Sequence, residues 1–193
     1  LLFDIPQVNA SSLHKSKRAT LERRVELVAK MVNESQETFI VCCESNDESA
    51  ALKRSIPDAV EVKGSDSPDT KEERLVGFSE GKYRVLISKS SICGFGMNWQ
   101  HCKRMVFASI SYSYEKFYQA VRRSWRFGQK DKVRVFVVIS DDETPVWRVI
   151  EKKSKDHTSM KNHMKYAIFK KAKNEKIKIP YKAEKKGKFP AWL

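Results

Sequence analysis

The feature that most restricts the fold of this 193-residue chain is a set of short, strongly apolar runs. They are Phe39-Ile40-Val41-Cys42-Cys43, Ala59-Val60-Glu61-Val62, Arg84-Val85-Leu86-Ile87-Ser88, Arg104-Met105-Val106-Phe107-Ala108 and residues 133–139. Each has the length of a strand, and most are apolar at consecutive rather than alternate positions. A strand with two apolar faces must be covered on both. That is the situation of a parallel sheet between two helical layers.

Helical signals lie between the runs. Leu21, Val25, Val28 and Val32 recur at i, i+4, i+7 and i+11. Ser45-Asn46-Asp47 is a capping cluster that leads into a helix over 48–56. Gly64 ends the second strand. Ser67-Pro68-Asp69 and the capping box Thr70-x-x-Glu73 open a helix that Gly81 closes. A further helix begins near Tyr114. Another covers 144–153, with Pro145 in its first turn, and a separate one covers 159–173. Residues 1–17 show no clear period, and no internal repeat is present. The expectation is an α/β fold: a mostly parallel β-sheet covered by helices on both faces, with a basic C-terminal extension.

The formal net charge is +14, and ten of those charges fall in residues 151–193, which hold 14 Lys, no Arg and 4 acidic residues. Such a segment suits contact with a phosphate backbone; the alternative is a solvated tail. Ile177-Lys178-Ile179-Pro180-Tyr181 and Phe189-Pro190-Ala191-Trp192-Leu193 supply apolar anchors within it. No apolar run approaches the ~20 residues of a membrane span. Leu1-Leu2-Phe3 is followed at once by Asp4 and Pro6, unlike a signal peptide, and the missing initiator Met suggests a piece of something longer. Cys42, Cys43, Cys93 and Cys102 have neither metal nor disulfide spacing and fit a reducing cytoplasm.

Gln119-Ala120-Val121-Arg122-Arg123-Ser124-Trp125-Arg126-Phe127-Gly128-Gln129 carries the clearest chemistry. On a helix at about 100° per residue, Gln119, Arg123 and Arg126 share a stripe roughly 60° wide. Gly128 would then end that helix. Two guanidiniums aimed at one spot need an anion, and a triphosphate matches their planar fork. The alternative is a solvated basic face. Ser88-Lys89-Ser90-Ser91-Ile92-Cys93-Gly94-Phe95-Gly96-Met97-Asn98-Trp99 follows a strand directly, where α/β sheets bind ligands. Gly94 and Gly96 would let backbone amides approach a phosphate; the alternative is a tight turn. Trp99, Tyr112, Tyr114, Phe117, Tyr118 and Trp125 crowd around both segments, as packing groups or as stacking platforms for bases.

The 119–129 segment resembles motif VI of superfamily 2 helicases, closest to the Swi/Snf-type translocases, with the pattern Gln-Ala-x-x-Arg-x-x-Arg-x-Gly-Gln. Residues 94–98 resemble motif V, Gly-x-Gly-x-Asn after a strand. Cys93 and residues 89–91 depart from the usual residues there. Residues 39–45 resemble motif IV, and Lys63-Gly64-Ser65 resembles the Gly-Ser pair that touches the tracking strand. The resemblance covers about 38–153. It implies the second RecA-like lobe of a DNA helicase or translocase, bacterial or viral. Arg123 and Arg126 would be catalytic fingers. Gln119, Gly94 and Gly96 would contact ATP. Ser45, Gly64, Ser65, Ser88, Lys89, Ser90 and Asn98 would contact DNA. ATP and Mg²⁺ would be bound mainly by a missing N-terminal lobe, with no cofactor in this fragment, which alone would be silent. The implied organisation is a lead-in over 1–20, the lobe over 21–155 and the extension over 156–193.

No Gly-x-x-x-x-Gly-Lys-Ser/Thr loop occurs, so Asp141-Asp142-Glu143 is not expected to hold Mg²⁺. His101-Cys102 beside Cys93 lacks zinc spacing, and no metal site is expected. Two other readings stay open. One is a non-enzymatic nucleic-acid-binding module that uses the basic extension. The other is a protein-interaction domain in which Arg122, Arg123 and Arg126 grip an acidic partner.

Overall fold

The computed structural model describes residues 10–92 and 97–174. Gly94, Gly96 and the apolar anchors at 177–181 and 189–193 lie outside the described residues. The elements run α1 (Ala10–Ala19), α2 (Leu21–Asn33), β1 (Phe39–Cys43), α3 (Asn46–Ser55), β2 (Ala59–Val62), α4 (Pro68–Ser79), β3 (Val85–Lys89), β4 (Arg104–Phe107), α5 (Tyr114–Ser124), β5 (Arg134–Val137), a 3-10 turn (Asp141–Glu143) and α6 (Thr144–Asn174).

The five strands form one sheet in the order β2-β3-β1-β4-β5, and every pair is parallel. Phe39 is in register with Val85 on one side and with Arg104 on the other. Alternation within β1 sends side chains into two cores. Phe39, Val41 and Cys43 pack with Val25, Val28, Val32 and Leu52 from α2 and α3. Ile40 and Cys42 pack with Phe78, Trp99, Ala120 and Val146 on the opposite face. The sheet is therefore covered on both faces, as its apolar runs require.

Local signals explain several boundaries. Ser45 accepts the Glu48 amide at 3.1 Å and caps α3. Gly81 at φ +78 closes α4: its N–H and that of Lys82 donate to the carbonyls of Phe78 and Gly77. The N-cap of α4 is Ser67, not Thr70. Ser67 accepts from the Thr70 amide, and Pro68 takes the first helical position, where its missing N–H costs nothing.

One helix is added to the expected elements, and three expectations are corrected. Residues 10–19 form α1, although they show no apolar period. Polar anchors fix it: Lys17 Nζ donates to the carbonyl of Ile110, and Ser16 Oγ to Asp142 at 2.7 Å. The last strand is four residues long and at best half-buried, because β5 lies at the sheet edge. The two helices expected at 144–153 and 159–173 are one continuous helix, α6. Finally, α5 stops at Ser124, four residues before Gly128.

The chain divides into two units, Leu1–Ser154 and Lys155–Leu193. The sheet lies in the first. In the second, the described stretch is helical and leaves Met160, Met164, Tyr166, Ile168 and Phe169 exposed. No helix among the described residues is long and apolar enough to cross a membrane.

Candidate functional site

Because all strands are parallel, their carboxyl ends share one edge of the sheet. There β1 leads to Glu44 and Ser45, β2 to Gly64 and Ser65, and β3 to Ser90. The loop after β3 and the turn after α5 meet as one hydrogen-bonded unit. Trp99 N–H donates to the Arg123 carbonyl at 3.0 Å. Gln100 Nε2 donates to the Phe127 carbonyl at 2.7 Å. Gln129 Nε2 donates back to the Gln100 carbonyl at 2.8 Å and to the Ser124 carbonyl at 3.1 Å. Gly128 makes the turn possible with φ +88, a conformation that side chains disfavour.

This geometry revises the arginine stripe. Gln119 and Arg123 share a face of α5 at i, i+4 spacing. Arg126 lies beyond the helix end, in the turn, because Trp125 leaves helical geometry at φ −91, ψ 80. Arg126 is exposed, and among the described residues its Nη1 reaches the Met97 carbonyl, at 3.5 Å. No ion pair among the described residues involves it. Arg123 is half-buried. Gln119 is exposed and donates to Glu115 at 3.0 Å. Arg122 stacks over the Trp125 ring at 5.2 Å.

The remaining candidates separate by exposure. Ser45, Gly64, Ser65 and Asn98 are exposed, and Lys89 is half-buried. Asn98 donates to Gln100 Oε1 at 3.3 Å. Ser88 and Ser90 are buried. The Ser88 hydroxyl donates across the sheet to the Val62 carbonyl at 2.9 Å, so it holds β2 and β3 together and does not face outward. Gly64 has open space where a Cβ would sit, so its backbone does not require glycine there. Most of the aromatics are packing groups. Trp99 is fully buried, edge-on to Phe78 at 5.7 Å, and Phe117 packs on Phe107 at 4.7 Å. His101 lies against Phe78 at 5.1 Å, and burial pushes its imidazole below its ordinary value. Glu143, in the acidic turn, is fully buried and forms a capping box with Ser140 ahead of α6.

A buried charge cluster behind this edge is not apparent from motifs. Arg24 Nη1 donates to Glu48 Oε1 at 2.5 Å and to the Ala108 carbonyl at 2.6 Å, and Nη2 donates to the Lys17 carbonyl at 2.7 Å. Glu48 Oε2 accepts from the Ser109 hydroxyl at 2.6 Å and the Glu44 amide at 2.9 Å. One signal was available: Arg24 occupies the helical face defined by Leu21, Val25 and Val28, a place for an apolar residue. A cavity of about 340 Å³ opens beside the cluster, lined in part by Lys17, Arg18, Glu44, Ser45 and Tyr112. Burial pushes the Glu44 carboxyl up from its ordinary value, opposed by a hydrogen bond with Ser90 and by Lys17 and Lys116.

Chemically, the site offers an exposed guanidinium at a pinned turn, a half-buried arginine in the last turn of α5, and small polar groups along one sheet edge. It fits phosphate oxygens approaching from outside the lobe. Among the described residues, no three His, Cys, Asp or Glu side chains group to hold a metal ion.

No curated protein matches the chain. Among solved structures, the C-terminal part of the Fun30 ATPase domain superposes with a TM-score of 0.59 at 18% identity, covering 66% of this chain and 44% of that one. A DEAD box protein from Methanococcus jannaschii gives 0.60 at 20% identity, covering 68% and 37%. S. cerevisiae Dbp5 bound to RNA and ADP BeF3 gives 0.58 at 13% identity, covering 67% and 35%. At these identities the likeness is one of fold, that of RecA-like helicase C-terminal lobes. The chain spans less than half the length of each of these three chains. Residues 20–128, more than half of the chain, match the family described as helicase conserved C-terminal domain, and the chain belongs to that family.

Proposed function

We propose that this chain is the second RecA-like lobe of a superfamily 2, Swi/Snf-type DNA-dependent ATPase, of bacterial or viral origin, that translocates on or unwinds DNA. An N-terminal lobe of the same polypeptide would hold ATP and Mg²⁺, which supply the phosphoryl group and its divalent counter-charge. This chain's part is positioning and charge. Arg126, exposed on the pinned turn, would meet the phosphoryl oxygens, with Arg123 in the last turn of α5 and Gln119 on the same helical face. Fixed guanidiniums of this kind are worth about 10³ to 10⁵ in rate. Ser45, Gly64, Ser65, Lys89 and Asn98, at the carboxyl edge, would line half of the DNA track. Ser88 and Ser90 would support it from within. The lysines of the extension would add phosphate contacts.

The observation that carries this reading is the junction itself. The loop expected to touch DNA and the turn that holds Arg126 share the Trp99–Arg123, Gln100–Phe127 and Gln129–Gln100 hydrogen bonds. A displacement on one side moves the other. A simple binding module does not need this arrangement.

The test is ATP hydrolysis with and without duplex DNA. The isolated chain is expected to be silent, and the two-lobed protein DNA-stimulated. Turnover by the isolated chain that disappears with Arg126→Ala would overturn the division of labour.

A further inference from the structure

Phe127 is the most exposed apolar side chain of the described residues, at 103% of its reference exposure, and its neighbour Trp125 is exposed at 53%. A single exposed phenylalanine on a loose loop needs no explanation. This one is not on a loose loop. Its carbonyl accepts from Gln100, the next residue holds φ +88, and Gln129 is tied to both Gln100 and Ser124. The backbone is fixed on both sides, and the ring is left in water. At that exposure the ring adds no packing to its own lobe.

Position names the occupant. Consecutive Cα atoms are about 3.8 Å apart, so whatever receives the Arg126 side chain comes within one residue of Phe127. The chain spans only 35% to 44% of three matched chains, which leaves room for a further body of similar size in proteins of that length. We infer that Phe127, flanked by Trp125, is an apolar anchor that docks into a pocket on the nucleotide-holding lobe when the two lobes close, and so seats Arg126. This rests on the two-lobed reading above. The anchor supplies the attraction, and the Gln100 and Gln129 bonds keep the ring and the guanidinium in register. Burying a phenyl ring is worth roughly 10- to 100-fold in an equilibrium.

The test compares Phe127→Ser, Phe127→Leu, Phe127→Trp and Arg126→Ala in the full-length protein, by DNA-stimulated ATP hydrolysis and by DNA affinity. Thermal unfolding of the same substitutions in this chain is the folding control. Phe127→Ser is expected to leave unfolding and DNA affinity unchanged and to lower kcat/KM for ATP roughly 10- to 100-fold. Phe127→Leu should restore most of that loss, because a docking pocket takes an aliphatic group. Normal activity in Phe127→Ser with a dead Arg126→Ala would overturn the anchor and leave the finger standing. Normal activity in both would overturn the two-lobed reading and the anchor with it. Activity kept by Phe127→Trp but lost in Phe127→Leu, with weaker DNA binding, would mean that the ring stacks on a base, and that too overturns docking.

Discussion

Gln100 and Phe127, twenty-seven residues apart, are joined by a 2.7 Å hydrogen bond from the glutamine side-chain amide to the phenylalanine carbonyl. The same glutamine accepts from Asn98 through its Oε1 and from Gln129 through its backbone carbonyl. One side chain thus ties the loop after β3 to the turn after α5. Gln100→Ala should cost about 0.5–1.5 kcal/mol, the net worth of one hydrogen bond. At about 2–4 °C per kcal/mol in a chain of this size, that is a Tm drop of roughly 1–6 °C. Amide exchange at residues 125–129 should rise more than elsewhere. Uniform exchange across the chain would mean that the turn holds itself.

The buried Arg24–Glu48 pair should be costly to break. Arg24 is 4% exposed and Glu48 2%, and each keeps further partners. Arg24→Met leaves the carboxylate buried without its counter-charge, at a cost of about 3–5 kcal/mol. Adding Glu48→Gln should recover part of that loss. Urea unfolding of both single variants and the double variant measures this; strict additivity would show that the two groups do not interact.

Much of this architecture was legible, and its exceptions are physical. Runs such as Phe39-Ile40-Val41-Cys42-Cys43 fixed both strand type and sheet class, and Ser45 and Gly81 marked helix ends by backbone demands that few residues meet. Helix α1 was not legible, because distant polar partners hold it, Ile110 and Asp142, rather than an apolar stripe. Helix α5 ends at Ser124, earlier than its glycine signal implies. Gly128 does adopt positive φ, but the helix has already stopped, and Gln129 reaches back to cap the Ser124 carbonyl. The residue types of the arginine segment were readable; that Arg126 leaves the helical face was not.

Glu44 gives a pH signature. Burial holds its carboxyl above the ordinary 4.5, so the folded chain binds that proton more tightly than the unfolded chain. Wild type should therefore gain stability relative to Glu44→Gln as pH falls from neutral through the raised value to 4.5, and level off below it. Unfolding midpoints of both proteins across that window check the sign. A relative loss by wild type would show that Ser90, Lys17 and Lys116 outweigh burial.

The lysines of residues 155–193 should dominate DNA affinity in the isolated chain. Binding should be weak, independent of sequence and steeply salt-dependent, with a slope near −0.9 per phosphate contacted. Removing residues 154–193 should lower affinity for every duplex tested and flatten that slope. Equal affinity and slope after removal would mark the extension as solvated only.

The account turns on Arg126, and the most direct measurement is DNA-stimulated ATP hydrolysis by the full-length protein carrying Arg126→Ala, Arg123→Ala or Arg122→Ala. Arg126→Ala should abolish stimulated turnover, by about 10³-fold or more, while ATP binding and folding persist. Arg123→Ala should come close to it, and Arg122→Ala, whose guanidinium stacks on Trp125, should be mild. Near-normal turnover in both the Arg126 and the Arg123 variants would contradict the finger assignment.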